Sequence, residues 1–247
     1  GRHAGADSAK WLLAEWNSHT PAVRSQILDV LLSRPATMAA LIDAVEAGVV
    51  APADLDATRR QRLVEQANDA QRERIAKLLA GGVDADRKRV LDAYQSSLEL
   101  TADAARGKAL FAKRCAACHQ LESVGQAVGP DLAALANRER AALLISILDP
   151  NRAIDNNYFS YSILLHDGTV HTGVIAAETA TSVTLKQAEG KQVTVLRSDI
   201  DELKSNGISL MPVGVEKDID KQQMADLVSF IKNWRYLDGA VPGVGGR

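Results

Sequence analysis

Two thiols and an imidazole stand together in Cys115-Ala116-Ala117-Cys118-His119. Thiols one helical turn apart can each add to one vinyl group of a haem, and the imidazole of the next residue then lies beneath the iron as its ligand. C-x-x-C-H is for this reason the attachment pattern of a c-type haem. Cys115 and Cys118 are the only cysteines among 247 residues. A disulfide framework is thereby excluded, and so is a zinc or iron–sulfur site with four cysteine ligands. The rival chemistry is a redox C-x-x-C of the thioredoxin kind, which leaves His119 without a role. The expected cofactor is one covalent haem c, with His119 on the iron.

These residues need elements to hold them. The spacing predicts an amphipathic helix from Ala104 to Cys115, with Gly107 and Phe111 four apart on one face. Gly129-Pro130-Asp131-Leu132 follows the motif, and a helix from Glu139 to Leu148 is stopped by Asp149-Pro150. Towards the C-terminus, Asp220 is the expected N-cap of a helix in which Met224, Leu227, Val228 and Ile231 recur at helical spacing up to Trp234. The tail 239–247, rich in Gly and Pro, is expected to be flexible.

Residues 1–100 read as helices only. Trp11, Leu12, Leu13 and Trp16 are expected as one apolar stripe. Pro21 opens a second helix after the cap residue Thr20, with Val23, Ile27, Val30 and Leu31 facing inward. Met38, Leu41, Ile42 and Val45 mark a third helix, ended by Gly48. Further helices are expected over 55–67, 70–79 and 86–100, with a break at Gly81-Gly82. Short antiparallel helices of this kind resemble HEAT-type repeats. With no strict period in the sequence, a helical bundle acting as a spacer is the plainer reading.

The pattern changes at Asn157. Five short runs rich in β-branched residues, 158–165, 170–176, 182–187, 192–196 and 200–204, lie between turn signals such as Asp167-Gly168 and Glu189-Gly190. Five strands in about fifty residues argue for a small closed antiparallel barrel, because closure removes exposed edges. The arrangement is similar to Sm-like or SH3-like barrels. Acidic residues outnumber Lys186, Lys191, Arg197 and Lys204 in this segment, so the Sm analogy does not extend to RNA.

The net charge of -2, with both signs mixed, points away from nucleic acid and from an anionic membrane surface. No apolar run approaches the roughly 18 residues that a transmembrane segment needs. The start, Gly1-Arg2-His3-Ala4-Gly5, is not a signal peptide. Haem c is nevertheless assembled on the outer face of the cytoplasmic membrane. The chain is therefore expected to be processed or to be a fragment of a longer exported protein, periplasmic or otherwise extracytoplasmic.

Taken together, 101–156 and 206–238 resemble a class I cytochrome c. Gly107 and Phe111 match that family's small-and-aromatic pair where the first helix crosses the last, and Phe230 is the aromatic partner. Gly129-Pro130 resembles the family's Gly-Pro, whose proline carbonyl accepts a hydrogen bond from the proximal histidine. Ser209-Leu210-Met211-Pro212 resembles the Met-Pro that supplies the second axial ligand. The 92 positions from His119 to Met211 fall to 43 once the 49 residues of 157–205 are set aside, so the barrel reads as an insertion into the cytochrome.

The composite resembles the haem-binding domain family described from Planctomycetes and Verrucomicrobia, in which HEAT-like helices precede the haem motif. Its motifs stand here as Gly107-Lys108, Phe111, the Cys115 to His119 pentapeptide, Gly129 to Leu132, Ile147 to Asn151 and Ser209 to Pro212. The fold implied is mainly α with an inserted small β-barrel. A HEAT-like helical domain (1–100) precedes a cytochrome c domain (101–156 and 206–238) that is interrupted by the five-stranded barrel (157–205). Family members often carry a sugar-dehydrogenase-like propeller upstream. None is present here, so no dehydrogenase activity is carried over.

The resemblance implies an electron-transfer haem protein rather than an enzyme, with His119 and Met211 as axial ligands and a redox protein as partner. It is consistent with the electron-accepting domain of a larger secreted dehydrogenase. The alternative is an open iron, giving a haem sensor or a peroxidase, and a protein-binding scaffold is a third reading. His166 and His171 are the competing axial ligands. Arg138 and Arg152 are candidates to pair the haem propionates, against the plainer reading of solvated arginines at helix ends. Tyr158, Tyr161 and Trp234 could also donate to a propionate, but packing is the first reading for all three. Seven bases against five acids over 105–156 offer a slightly basic rim for an acidic partner.

Overall fold

Apolar residues three and four apart fold the first part of the chain into α1 (Arg2–Ala14), α2 (Pro21–Leu31), α3 (Pro35–Glu46), α4 (Ala57–Gln66) and α5 (Asp69–Leu79). The computed structural model describes residues 2–16, 19–79, 85–121, 123–136 and 138–236, the side chains of 2–7, 53, 85 and 236 excepted. The expected break at Gly81-Gly82 and the tail 239–247 lie outside the described residues. Thr20 caps α2 by accepting the Val23 N–H, and Gly48, at a φ of 73°, follows the end of α3. Two of the expected stripes are corrected. Trp11 is 76% exposed, because α1 buries Ala9 and Leu13, and a residue two positions from both projects to the opposite face; Trp16, just beyond α1, is buried. In α2 the buried line is Ile27, Leu28 and Leu31, which leaves Val23 and Val30 facing water.

Contacts divide the chain into two compact units. The first gathers Gly1–Val83, Asn151–Val183 and Val195–Ser209. Its core is built on Leu28, Leu31, Met38, Leu41, Ile42, Leu63 and Ile75. Buried Arg59 on α4 ties this unit together. Its guanidinium donates to Asp29 and Ser25 of α2, to Asp56, and to Asn156 in the 3-10 turn before the sheet.

The strands are β1 (Phe159–Leu165), β2 (Val170–Glu178), β3 (Ser182–Lys186), β4 (Gln192–Leu196) and β5 (Ile200–Ser209), in the order β4-β3-β2-β1-β5. β1 pairs antiparallel with both β2 and β5. The expected barrel is thus corrected to an open five-stranded sheet with β4 and β5 as its edges. Closure is not needed where a strand's apolar side chains find cover elsewhere in the same unit. Phe159, Tyr161 and Ser205 line a small cavity together with Trp16, Pro21, Arg24 and Leu28 of the same unit. Glu178, at the end of β2, accepts the Ala22 N–H at the start of α2. β5 also runs beyond the expected end at 204. A register irregularity that includes Gly207, at a φ of 67°, lets Ser209 pair with Phe159.

The second unit gathers Asp84–Pro150, Thr184–Thr194 and Leu210–Arg247. It holds α6 (Ala85–Tyr94), α7 (Ala104–Arg114), α8 (Arg140–Leu148) and α9 (Lys221–Asn233), together with the outer half of the β3–β4 hairpin. Asp220 caps α9 in a reciprocal capping box with Gln223. α7 and α9 cross so closely that a Cβ on Gly107 would stand 2.0 Å from the Asp226 carbonyl oxygen. The Phe111 and Phe230 rings meet there, 5.5 Å apart and tilted by 53°.

Asp226, 2% exposed, locks this crossing. Its carboxylate accepts from the Asp103 N–H at 2.7 Å, from Arg106 Nε at 2.7 Å and from Gln222 Nε2 at 3.0 Å. Burial alone raises its pKa, but the hydrogen bonds from Arg106, the Asp103 N–H and Gln222 outweigh that and hold it below the ordinary carboxylate value. A folded pKa below the unfolded one, about 3.9, gives stability that is present above that value and is lost as pH falls through the folded pKa. Asp226→Asn should therefore lower stability at neutral pH and reduce the further loss on acidification. Urea denaturation at pH 7 and near pH 3.5 checks this; equal acid sensitivity in both proteins would contradict it.

Candidate haem site

α7 ends at Arg114 and runs on into the turn that carries both thiols. The N–H groups of Cys118 and His119 bond to the Cys115 carbonyl at 3.1 and 2.9 Å, which keeps the two cysteines and the imidazole within one turn. The loop that follows folds back beneath it. Gln126 N–H bonds to the Ala116 carbonyl at 2.9 Å, and Val128 and Gly129 N–H bond to that of Cys118 at 3.1 and 2.7 Å. Gly125, at a φ of 96°, lies where a Cβ would come within 2.1 Å of the His119 carbonyl oxygen.

His119 is oriented by its surroundings. Its Nδ1 lies 3.0 Å from the Pro130 carbonyl oxygen. A carbonyl can only accept, so Nδ1 carries the proton and Nε2 keeps a free lone pair. Burial pushes the imidazole pKa below its usual value, against a smaller opposing effect of the Pro130 bond, so the neutral ring is favoured. Gly129 lies against the ring, where a Cβ would stand 2.7 Å from Cε1 and 3.0 Å from Nδ1. Cys115 and Cys118 are free and half-buried. Burial, with the neighbouring Cys118, pushes the Cys115 thiol up to about 11, and burial also raises Cys118. Redox C-x-x-C pairs show the opposite shift.

The residues fit a covalently bound haem. Two unpaired thiols stand one turn apart, the following imidazole offers Nε2, and the Trp234 indole N–H in the core of the same unit is buried with no acceptor among the described residues. No group of three or more His, Cys, Asp or Glu among the described residues could hold a metal ion.

Met211 is half-buried in the segment after β5, in the same unit as His119. That segment is anchored on both sides. Asn151 Oδ1 accepts the N–H of Ser209 at 2.8 Å. Beyond Met211, the Tyr94 hydroxyl of α6 lies 3.0 and 2.7 Å from the carbonyl oxygens of Glu216 and Ile219, and Arg87 pairs with the Glu216 carboxylate at 2.9 Å. Arg138, in the second unit, donates to the carbonyls of Leu135 and Ala133, whereas Arg152 is exposed in the first unit. His166 and His171 also belong to the first unit, and His166 lies exposed, 3.7 Å from Asp201.

Sequence reasoning missed three contributors: Tyr94, Arg87 and the β3–β4 tip. Glu189, at that tip, donates its N–H to the Ala117 carbonyl at 2.7 Å. The Glu189-Gly190 turn is visible in the sequence, but a backbone bond made by it has no sequence signature.

Residues 104–158 match the Cytochrome c family model. The matched stretch runs from the start of α7 through the thiol turn, Gly129-Pro130 and α8, and this part of the chain is a cytochrome c-like domain. The match implies covalently bound haem c and points to haem-based electron transfer with a redox partner. Among curated proteins, none matches the chain. No helix among the described residues is long and apolar enough to cross a membrane.

Gly129→Ala tests the cradle. The added Cβ must displace the His119 ring from the Pro130 carbonyl, at a stability cost of about 1–3 kcal/mol. Thermal denaturation should show that loss, and the absorption spectrum of the purified protein should depart from the wild type. An unchanged spectrum would contradict the placement of the ring.

Proposed function

We propose that the second unit is a one-electron carrier in which His119 and Met211 ligate the iron of a single haem c joined to Cys115 and Cys118. The observation that carries this reading is the orientation of His119, whose Nδ1 lies 3.0 Å from the Pro130 carbonyl oxygen with Nε2 left to ligate. When bound, the haem supplies a ferrous–ferric couple. The chain's part is to hold both axial ligands, keep water from the crevice and satisfy the propionates. Trp234 Nε1, buried and without an acceptor among the described residues, is the favoured propionate donor, with Arg138 beside the loop that follows Pro130.

Met211 is supported by elimination and by anchoring. Met38 and Met224 are fully buried in helical cores, whereas Met211 sits in a short loop before Pro212, flanked by the Asn151 and Tyr94 anchors. Thioether sulfur is soft and favours ferrous iron, which raises the potential. With both axial positions filled, no substrate reaches the iron, so the protein carries electrons rather than transforming a substrate. Haem c attachment outside the cytoplasm places it in an extracytoplasmic compartment. The helices and sheet of the first unit then serve as a spacer or docking element towards a redox partner, in keeping with the electron-accepting part of a larger dehydrogenase.

Met211→Ala should keep the covalent haem, lower the reduction potential and let the ferrous protein bind carbon monoxide. A weak near-infrared sulfur-to-iron band should be present in the ferric wild type and absent from the variant. A spectrum insensitive to Met211→Ala but altered by His166→Ala or His171→Ala would replace this reading with a bis-histidine site. Free carbon monoxide binding by the wild type would favour the open-iron sensor or peroxidase.

A further inference from the structure

The geometry points to the β3–β4 tip as part of the haem site, with Glu189 and Gly190 as positioning residues that strap the haem-attachment turn. This rests on the cytochrome reading of that turn. A helix leaves its last carbonyls without partners inside the helix. Here the loop 126–129 supplies donors to the carbonyls of Ala116 and Cys118, on either side of Ala117. The Ala117 carbonyl, between the two thiols, instead accepts the N–H of Glu189, about seventy residues further along the chain, at 2.7 Å.

The tip is shaped for this contact. Glu189 has a φ of 64°, the only positive φ at a non-glycine residue among the described residues. That conformation is strained for a glutamate and persists where its surroundings fix it. Gly190, at a φ of 72°, lies against Gln126, where a Cβ would stand 2.5 Å from the Gln126 side-chain oxygen. Gln126 is itself the donor to Ala116, so the tip meets both the turn and the loop that caps it. The Glu189 side chain is turned to solvent and paired with Lys191 at 2.8 Å, so the backbone rather than the carboxylate makes the contact. Contacts assign Thr184–Thr194 to the same unit as the haem turn.

A strap of this kind would hold the thiol turn rigid and keep water from the Ala117 carbonyl. Water near the turn stabilises the ferric charge, so loss of the strap lowers the potential. Two variants separate the N–H from the side chain. Glu189→Gly keeps the donor and accepts a positive φ without strain. Glu189→Pro removes the donor and cannot adopt that φ.

The test is amide hydrogen exchange on the haem-loaded protein, with the reduction potential measured alongside. In the wild type the Glu189 amide should exchange more slowly than an unbonded turn amide, by roughly fivefold or more. Glu189→Gly should retain the wild-type potential and the protection of the Cys118 and His119 amides. Glu189→Pro should lose that protection and lower the potential, while circular dichroism shows the helices intact. A Glu189 amide exchanging at the free-turn rate in the wild type overturns the strap, whatever the variants do. An unchanged potential and unchanged protection in Glu189→Pro overturn it too. The pyridine haemochrome spectrum reads haem attachment separately. Its absence would sink the cytochrome reading, while Glu189 exchange would still decide the strap.

Discussion

Unpaired carbonyls at the end of α7 constrain much of what surrounds them. The helix hands its last turn to Cys115, Cys118 and His119, and that turn stays wound only if its outward carbonyls find donors. The loop 123–130 is shaped by this demand. Gly125 lets it pass within contact of the His119 carbonyl, and Gln126, Val128 and Gly129 turn their N–H groups back on the turn. The same path brings the Pro130 carbonyl to His119 Nδ1 and Gly129 to the face of the ring. Capping the turn and orienting the imidazole are thus one structural act.

The α7–α9 crossing sets where the turn begins. Gly107 allows the backbones to touch, Phe111 and Phe230 fill the space beside it, and buried Asp226 binds the start of α7 through the Asp103 N–H and Arg106. α6, upstream of the matched cytochrome segment, contributes Tyr94 and Arg87 to the stretch that follows Met211. The haem unit therefore draws on chain both before and after the segment that resembles known cytochromes.

Side-chain chemistry made parts of this legible in the sequence. Cys115, Cys118 and His119 declare their chemistry by type and spacing. The resemblance to class I cytochromes c implied a close crossing at Gly107, Phe111 and Phe230, and Asp220 signals a helix start; the structure has each of them there. Less legible were features in which neighbouring apolar residues compete for one face. Trp11, Val23 and Val30 are apolar yet point to water, because Ala9, Leu13, Ile27 and Leu28 take the buried positions. Runs of β-branched residues between turn signals marked all five strands but not their closure, since residues that the sheet meets, such as Trp16, Pro21 and Leu28, lie far away in sequence. The Ala117–Glu189 bond was invisible because both partners are backbone groups.

The central claim is that haem is bonded to the two thiols before His119. Trypsin should cut after Arg114 and Arg138, releasing Cys115 to Arg138 as one peptide that holds both cysteines. Mass spectrometry of the denatured, unreduced digest should find that peptide heavier by one haem, with neither cysteine open to alkylation. Recovery of the unmodified peptide with both thiols alkylated, from protein made in a host that matures c-type cytochromes, would contradict the account.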